Sequence, residues 1–132
     1  MSKVLVVDDE AISVVTIGAF LREEGFEVEI AGSAREALGK AANFHPDLLV
    51  SDWKLKDDLD GIEVARNLQK GNPALKAILY SGLGVDDLRR QARGLNVFRF
   101  LEKPCGLADL LEAVSAALRP KANSTAGDTP SK

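Results

Sequence analysis

Acidic, hydroxyl and basic side chains follow four separate apolar runs of this chain. Asp8 and Asp9 come directly after the first run, and Asp52 comes after the second. Ser81 ends the third run, and Lys103 follows the fourth. If these runs are parallel strands of one sheet, the side chains gather at its carboxyl edge, where open α/β sheets bind ligands. Three carboxylates gathered there repel one another unless a cation lies among them, so the set predicts a divalent-metal site beside a nucleophile.

The elements that must position these side chains alternate between strand and helix. The predicted strands are 3–7, 27–31, 48–51, 77–80 and 97–101. Four of the predicted helices are 11–24, 60–71, 85–93 and 107–118. A further helix, second in chain order, is predicted to begin after Ser33 as its N-cap, with Glu36 completing a capping box. Strand 27–31 alternates acidic and apolar residues, which is typical of an edge strand. Five βα units with apolar strands predict a parallel sheet covered on both faces.

Composition is that of one globular domain with a short tail. Of 132 residues, 45% are apolar and 28% charged. We expect a single domain over 1–119 and a disordered tail over 120–132, where small and polar residues take over. The net charge of −3 argues against direct nucleic-acid binding. No apolar stretch approaches the roughly 20 residues of a membrane span. The single cysteine, Cys105, excludes an internal disulfide and fits a reducing cytoplasm.

The order and spacing of Asp8-Asp9, Asp52, Ser81 and Lys103-Pro104 resemble those of the receiver domain of two-component response regulators. Because nothing after Leu118 looks like an output domain, we expect a stand-alone receiver, and the alternative is a receiver excised from a larger protein. The resemblance covers about residues 3–118. Each short motif is common by itself, and only their joint placement at four strand ends is specific. The resemblance implies a flavodoxin-like (βα)5 doubly wound fold with a five-stranded parallel sheet in the order 2-1-3-4-5. It also implies a cytoplasmic signalling protein, either a monomer or a weak dimer.

The resemblance assigns a role to each side chain at the sheet edge. Asp52 is the phospho-acceptor. Asp9 binds Mg²⁺ directly and Asp8 partly through water, and Mn²⁺ can substitute for Mg²⁺. Asp52 itself and the backbone carbonyl of Lys54 complete the protein ligands. Lys103 pairs first with Asp52 and later with a phosphoryl oxygen.

The resemblance also implies a conformational switch. Ser81 donates its hydroxyl to a phosphoryl oxygen, and Phe100 then packs into the space that Ser81 vacates. The bond between Lys103 and Pro104 is expected to be cis. Leu83 and Lys54 flank the water path to the phosphoryl group, which suggests a phosphorylated form of moderate to long life. Such a protein is a switch and not a classical enzyme, although it catalyses its own phosphorylation and dephosphorylation.

The expected donor is the phosphohistidine of a sensor histidine kinase or a histidine phosphotransferase, and the expected target is a downstream protein that the sequence does not name. Residues 11–21 of the first helix carry no charge, whereas a surface helix normally has a polar face. Some apolar side chains of this helix should therefore stay exposed and support docking of the donor. The candidates are Ile12, Val14, Val15 and Ile17. The alternative is that the small residues of the helix simply tolerate water.

Other functions fit the residues less well. A phosphorylation-independent interaction module with the same fold is the main alternative, although every key position is intact. An aspartate-nucleophile phosphatase would need an acid at Lys54, and a nucleotide-binding protein would need a phosphate loop after the first strand. Asp57, Asp58 and Asp60 are interpreted as a solvated loop before the third helix. Many receivers have proline at the position of Lys56, so this loop should follow a different path.

Overall fold

The structure is a computed structural model that describes residues 2–119. Within that range five strands alternate with five helices. The strands are β1 (Lys3–Val7), β2 (Glu27–Ala31), β3 (Leu48–Asp52), β4 (Lys76–Ser81) and β5 (Val97–Glu102). The helices are α1 (Ala11–Glu23), α2 (Ala34–Phe44), α3 (Gly61–Gly71), α4 (Val85–Gln91) and α5 (Leu107–Leu118). None of these helices has the length and apolarity that a bilayer span requires. The tail predicted for 120–132 lies outside the described residues.

All four strand pairs are parallel, and the sheet order is β2-β1-β3-β4-β5. This is the flavodoxin-like doubly wound arrangement that the resemblance implied. The chain runs from β1 to one side for β2 and then crosses to the other side for β3. The strand order therefore reverses between β1 and β3, and a crevice at such a reversal is where doubly wound folds place ligands.

The sheet separates two apolar cores, because alternate residues of each strand point to opposite faces. Leu49 and Leu79 pack on one face, under residues of α2, α3 and α4. Val50 and Ile78 pack on the other face, under residues of α1 and α5. Since both faces are covered, a strand of this sheet needs apolar residues at consecutive positions. This is why the central strands are continuous apolar runs.

The two central strands end later than predicted. β3 includes Asp52, whose Cα lies opposite that of Tyr80, and β4 includes Ser81, which lies opposite Glu102. The polar residues at these ends thus belong to the strand ladder itself. Because the sheet holds the backbones of these residues, their side chains can reach only a limited range of positions.

The start of α2 differs in detail from the predicted capping box. Ser33 accepts a hydrogen bond from the N–H of Glu36 at 3.0 Å, as expected for an N-cap. The Glu36 carboxylate, however, accepts the N–H of Gly32 at 2.8 Å and not that of Ser33. The reciprocal half of the box is displaced by one residue, because the extended chain before the helix brings Gly32 within reach.

Candidate functional site

The sheet register brings the predicted side chains to one edge. At the carboxyl end, Val7 pairs with Ser51, and Ser81 pairs with Glu102. Asp8 and Asp9 therefore leave β1 beside the end of β3, and Lys103 leaves β5 beside the end of β4. The peptide bond between Lys103 and Pro104 is cis.

Three carboxylates form a compact acidic cluster at this edge. Asp8, Asp9 and Asp52 each offer an oxygen, and these oxygens lie within 4.8 Å of one another. Asp8 and Asp52 are buried, with 1% and 7% of their surface exposed, and Asp9 is half-buried. Charges removed from water at this spacing need a counter-ion. Oxygen ligands in a small cluster suit a hard divalent cation, so the donor set fits the predicted metal.

Lys103 supplies one positive charge to the cluster. Its Nζ donates a hydrogen bond to Asp52 Oδ2 at 2.8 Å. Burial raises the pKa of Asp52, and the nearby Asp8 and Asp9 raise it further, against the opposing pull of Lys103. Burial acts to lower the pKa of Lys103, but the hydrogen bond and charge of Asp52 outweigh it, so this pKa is raised. The lysine therefore stays charged while only partly neutralising the cluster.

Both oxygens of Asp8 accept hydrogen bonds from the protein. The Glu10 N–H donates to Oδ1 at 3.0 Å, and the Tyr80 hydroxyl donates to Oδ2 at 2.8 Å. Burial and the neighbouring Asp8 raise the pKa of Tyr80 far above its ordinary value, so its proton stays in place. The contact of Tyr80 with the site was not predicted from the sequence. The available signal was a hydroxyl within an otherwise apolar strand, because a buried tyrosine needs a partner for its O–H.

Ser81 lies at the same edge with 1% of its surface exposed. Its Oγ accepts the N–H of Leu83 at 2.9 Å, which leaves the hydroxyl proton available for donation. The side chain of Lys54 is exposed, and its ammonium lies 4.2 Å from the ring centroid of Trp53. The predicted role of the Lys54 carbonyl as a metal ligand stays a prediction.

The first turn of α3 closes on the backbone of Asp52. The N–H of Gly61 donates to the carbonyl of Trp53 at 2.8 Å. A Cβ on Gly61 would lie 2.2 Å from the Asp52 carbonyl oxygen and 2.8 Å from Ser51 Oγ. Only glycine permits this approach, so Gly61 helps to fix the position of the Asp52 backbone, from which the carboxylate side chain extends.

The acidic residues between β3 and α3 contact the starts of two helices. Asp57 accepts the backbone N–H groups of Ala34 and Arg35 at 3.4 and 3.2 Å, at the start of α2. Arg35 forms a two-pronged ion pair with Asp58. Asp60 caps α3 in a reciprocal capping box. The interpretation of these acids as a solvated loop agrees with the exposure of Asp58, whereas Asp57 and Asp60 are half-buried and accept backbone N–H groups at the starts of α2 and α3.

The predicted switch residues lie beside α4. The ring of Phe100 is half-buried, and the Arg89 guanidinium carbon lies 4.9 Å from its centroid. Leu83 projects from the loop after β4 with 71% of its surface exposed. The aromatic ring thus has a cation above it, and the apolar side chain of Leu83 is largely exposed to solvent.

The surface of α1 beside the site is partly apolar. Ile12 and Val15 are 82% and 57% exposed, whereas Val14 is buried and Ile17 is half-buried. The prediction that part of this helix stays exposed is therefore confirmed for two of the four candidates. A cavity of about 460 Å³ opens between α1 and the loop after β5. Its lining includes Ile17 and Cys105, so the cysteine serves as packing there.

Comparison with known proteins agrees with this fold and site. The family described as the response regulator receiver domain matches residues 4–115. Since the match covers most of the chain, the chain belongs to that family, and the acidic cluster matches the family's phosphorylation site. Receiver domains are signalling switches that accept a phosphoryl group from histidine kinases or phosphotransferases, and they are generally not classical enzymes. The alternative of a phosphorylation-independent interaction module is not favoured.

Individual relatives are similar over part of their own length. The transcriptional regulatory protein PdtaR of Mycobacterium tuberculosis is 33% identical over 117 residues, which are 88% of this chain and 56% of that protein. The response regulator VraR of Staphylococcus aureus is 30% identical over 120 residues, 89% of this chain and 56% of VraR. The chain thus spans about half the length of these curated relatives.

Solved structures resemble the chain over nearly their full length. A receiver domain protein from Clostridium thermocellum has a TM-score of 0.80 at 30% identity, covering 89% of this chain and 94% of that one. A CheY-like receiver domain protein from Methanospirillum hungatei has a TM-score of 0.77 at 30% identity, covering 88% and 92%. The described residues therefore form the ordinary receiver unit.

Proposed function

We propose that Asp52 accepts a phosphoryl group from a phosphohistidine of a sensor histidine kinase or a histidine phosphotransferase, in a Mg²⁺-dependent reaction in the cytoplasm. The phosphorylated chain then switches or relays the signal to a downstream protein. The observation that carries the proposal is the buried Asp52 carboxylate, held by Lys103 between two further carboxylates. In the transfer a carboxylate oxygen forms a bond to phosphorus while the phosphorus–nitrogen bond breaks. The bonding pair returns to the imidazole nitrogen of the donor.

The side chains divide the work of binding and charge compensation. Asp8, Asp9, Asp52 and the Lys54 carbonyl would hold Mg²⁺, or Mn²⁺ in its place. The bound ion would offset the charge that gathers on the phosphoryl oxygens. Lys103 already holds an Asp52 oxygen, and after transfer its ammonium is free to bind a phosphoryl oxygen. Catalysis of this kind is mainly positioning plus electrostatic stabilisation.

Ser81 and Phe100 respond to the phosphoryl group on Asp52 by changing conformation, which alters the protein surface beside α4. Ser81 keeps its hydroxyl proton available and donates it to a phosphoryl oxygen. Its movement opens space into which the half-buried Phe100 ring packs. The exposed Leu83 shields the acyl phosphate from water. A Leu83→Ala variant should lose the phosphoryl group faster than the parent, and an unchanged rate would contradict the shielding.

The exposed apolar surface of α1 serves as the docking site for the phosphohistidine donor. Val15→Glu places a charge on that surface, so transfer from the cognate donor should slow while phosphorylation by acetyl phosphate persists. Ala42→Glu adds the same charge at an exposed position of α2 and should leave both reactions unchanged. Equal loss of both reactions in Val15→Glu would contradict docking on α1.

The proposal is tested with the fluorescence of Trp53, the chain's one tryptophan, which is buried next to Asp52. Mg²⁺ is added first and acetyl phosphate second, and Asp52→Asn is the control. A change on adding Mg²⁺, followed by a second change that Asp52→Asn abolishes, is expected. Mass spectrometry should find the phosphoryl adduct on the parent protein alone. Absence of an adduct with acetyl phosphate and with a purified phosphohistidine donor would overturn the proposal.

A further inference from the structure

Tyr80 contacts two different charged groups of the site from within β4. Its hydroxyl donates to Asp8 Oδ2 at 2.8 Å, and its ring centroid lies 5.1 Å from the ammonium of Lys103. Only 5% of its surface is exposed. It directly precedes Ser81, so one short piece of backbone carries both the hydroxyl of the proposed switch and an aromatic ring behind the acidic cluster.

We propose that Tyr80 is a positioning residue of the phosphorylation site, which orients Asp8 through its hydroxyl and Lys103 through its ring face. The proposal rests on the proposed function, since it concerns how the same site binds its cation and its phosphoryl group. Tyr80 would touch neither of them itself. It would act through the two side chains that do.

The hydroxyl restricts the carboxylate of Asp8. The terminal torsion of an aspartate side chain is soft, so a carboxylate with one donor can rotate over a wide range. Asp8 has a donor on each oxygen, the Glu10 N–H and the Tyr80 hydroxyl, which fixes the plane of the carboxylate. Each oxygen keeps a lone pair for a further ligand. Because Asp8 is 1% exposed, water has little access to replace a lost donor.

The ring acts on the other charge. A lysine ammonium within about 6 Å of an aromatic centroid is attracted to the ring face. Lys103 therefore has two attachments, the carboxylate of Asp52 and the face of Tyr80. When Asp52 becomes phosphorylated, the first attachment changes, whereas the ring still keeps the ammonium close to the new phosphoryl oxygen. The hydroxyl thus bears on cation binding and the ring on the transfer step.

Two variants separate these effects. Tyr80→Phe removes the hydroxyl and keeps the ring, whereas Tyr80→Leu removes both. Mg²⁺ affinity is measured by calorimetry on the unphosphorylated protein, and the phosphorylation rate is measured with acetyl phosphate at saturating Mg²⁺. Tyr80→Phe should bind Mg²⁺ about tenfold more weakly, as is typical when the partner of a metal ligand is lost, with a near-parental rate at saturation. Tyr80→Leu should show the same weakening and a slower rate at saturation.

Thermal unfolding without Mg²⁺ shows that each variant is folded, and Tyr80→Phe preserves the shape of the core. A purely structural tyrosine would lower the unfolding midpoint and leave Mg²⁺ affinity unchanged. Mg²⁺ affinity of Tyr80→Phe within twofold of the parent would overturn the role of the hydroxyl. Equal rates at saturation for the two variants would overturn the role of the ring. A parent protein that binds no Mg²⁺ and takes no phosphoryl group would instead overturn the proposed function, and this inference with it.

Discussion

The interior of the sheet and its carboxyl edge are both buried, yet they are built from opposite kinds of residue. The middle of β3 is Leu49 and Val50, which are fully buried and touch apolar neighbours on both faces. The edge buries Asp8, Asp52 and Ser81. Burial of apolar residues in the interior lowers the free energy of the folded state, whereas burial of charged residues at the edge raises it. The comparison indicates that stability resides in the middle of the strands, and that chemistry is concentrated where they end.

Removing interior volume should have the largest effect on stability. Leu49→Ala leaves a cavity between the sheet and the helices above it, and such truncations cost about 2–5 kcal/mol. Chemical denaturation should show this loss in the free energy of unfolding. Under conditions where the variant is folded, its Mg²⁺ affinity should stay close to the parental value. A large loss of affinity without loss of stability would contradict the separation of interior and edge.

Gly61 links the two regions, so its replacement should affect both. The new Cβ of Gly61→Ala would meet the Asp52 carbonyl oxygen at 2.2 Å. Relieving such overpacking typically costs about 1–3 kcal/mol. The phosphorylation rate with acetyl phosphate should also fall, because the backbone of the acceptor must shift.

Gly71→Ala is the matched control for this variant. Gly71 ends the same helix, and a Cβ there would have no neighbour within 4 Å. Its stability and phosphorylation rate should match or exceed those of the parent. If Gly61→Ala behaves like Gly71→Ala, the close approach at Asp52 is unimportant.

At the edge, removing a charge should stabilise the protein while abolishing phosphorylation. Burial and the other two carboxylates together outweigh Lys103 in raising the pKa of Asp52, so its negative charge disfavours the folded state when no divalent cation is present. Asp52→Asn should therefore raise the free energy of unfolding in chelator, by an amount that the loss of the Lys103 ion pair limits. Lys103 is partly exposed and can turn to water. A destabilised Asp52→Asn would show that the ion pair dominates the edge.

An exposed acid should have the smallest effect and the opposite sign. The Gly32 N–H lowers the pKa of Glu36 from 4.5, and Lys40 lowers it further. A lowered pKa in the folded state means that the carboxylate adds stability above pH 4.5, and that this stability is lost as the pH falls through the folded value. Glu36→Gln should cost less than about 1 kcal/mol at pH 7, because the side chain is well exposed. The difference from the parent should vanish in acid, and a difference that persists there would have another cause.

Sequence patterns predicted the parts of the molecule that depend on local order. The bounds of β1, β2 and α5 agree with the predicted ranges, because an apolar run or an apolar stripe defines each of them. The ends of β3 and β4 were placed one residue too early, since Asp52 and Ser81 are polar. Whether a polar residue continues a ladder depends on the neighbouring strand, which a single run of sequence does not contain.

Contacts between distant residues were the main features that the sequence did not predict. The partner of Tyr80 is 72 positions away, and the partners of Asp57 lie 22 and 23 positions away. Nothing in the spacing of β4 indicates that a hydroxyl meets the carboxylate of Asp8, which follows β1. The resemblance implied that Lys103 pairs with Asp52, but nothing in the spacing of the loop before α3 indicates that Asp57 binds the start of α2.

The position of Arg89 above Phe100 bears on the output of the proposed switch in the unphosphorylated protein. A partly exposed contact between a cation and a ring contributes about 0.5–1 kcal/mol. Since 1.4 kcal/mol corresponds to a tenfold change in an equilibrium, a switch in which Phe100 leaves this contact to pack inward, as proposed above, would have its spontaneously switched population lowered by about two- to fivefold. A pathway that reads the position of that ring would have its background output reduced by the same factor. In the proposed switch, Arg89 on α4 would thus set part of the difference in output between the unphosphorylated and the phosphorylated protein.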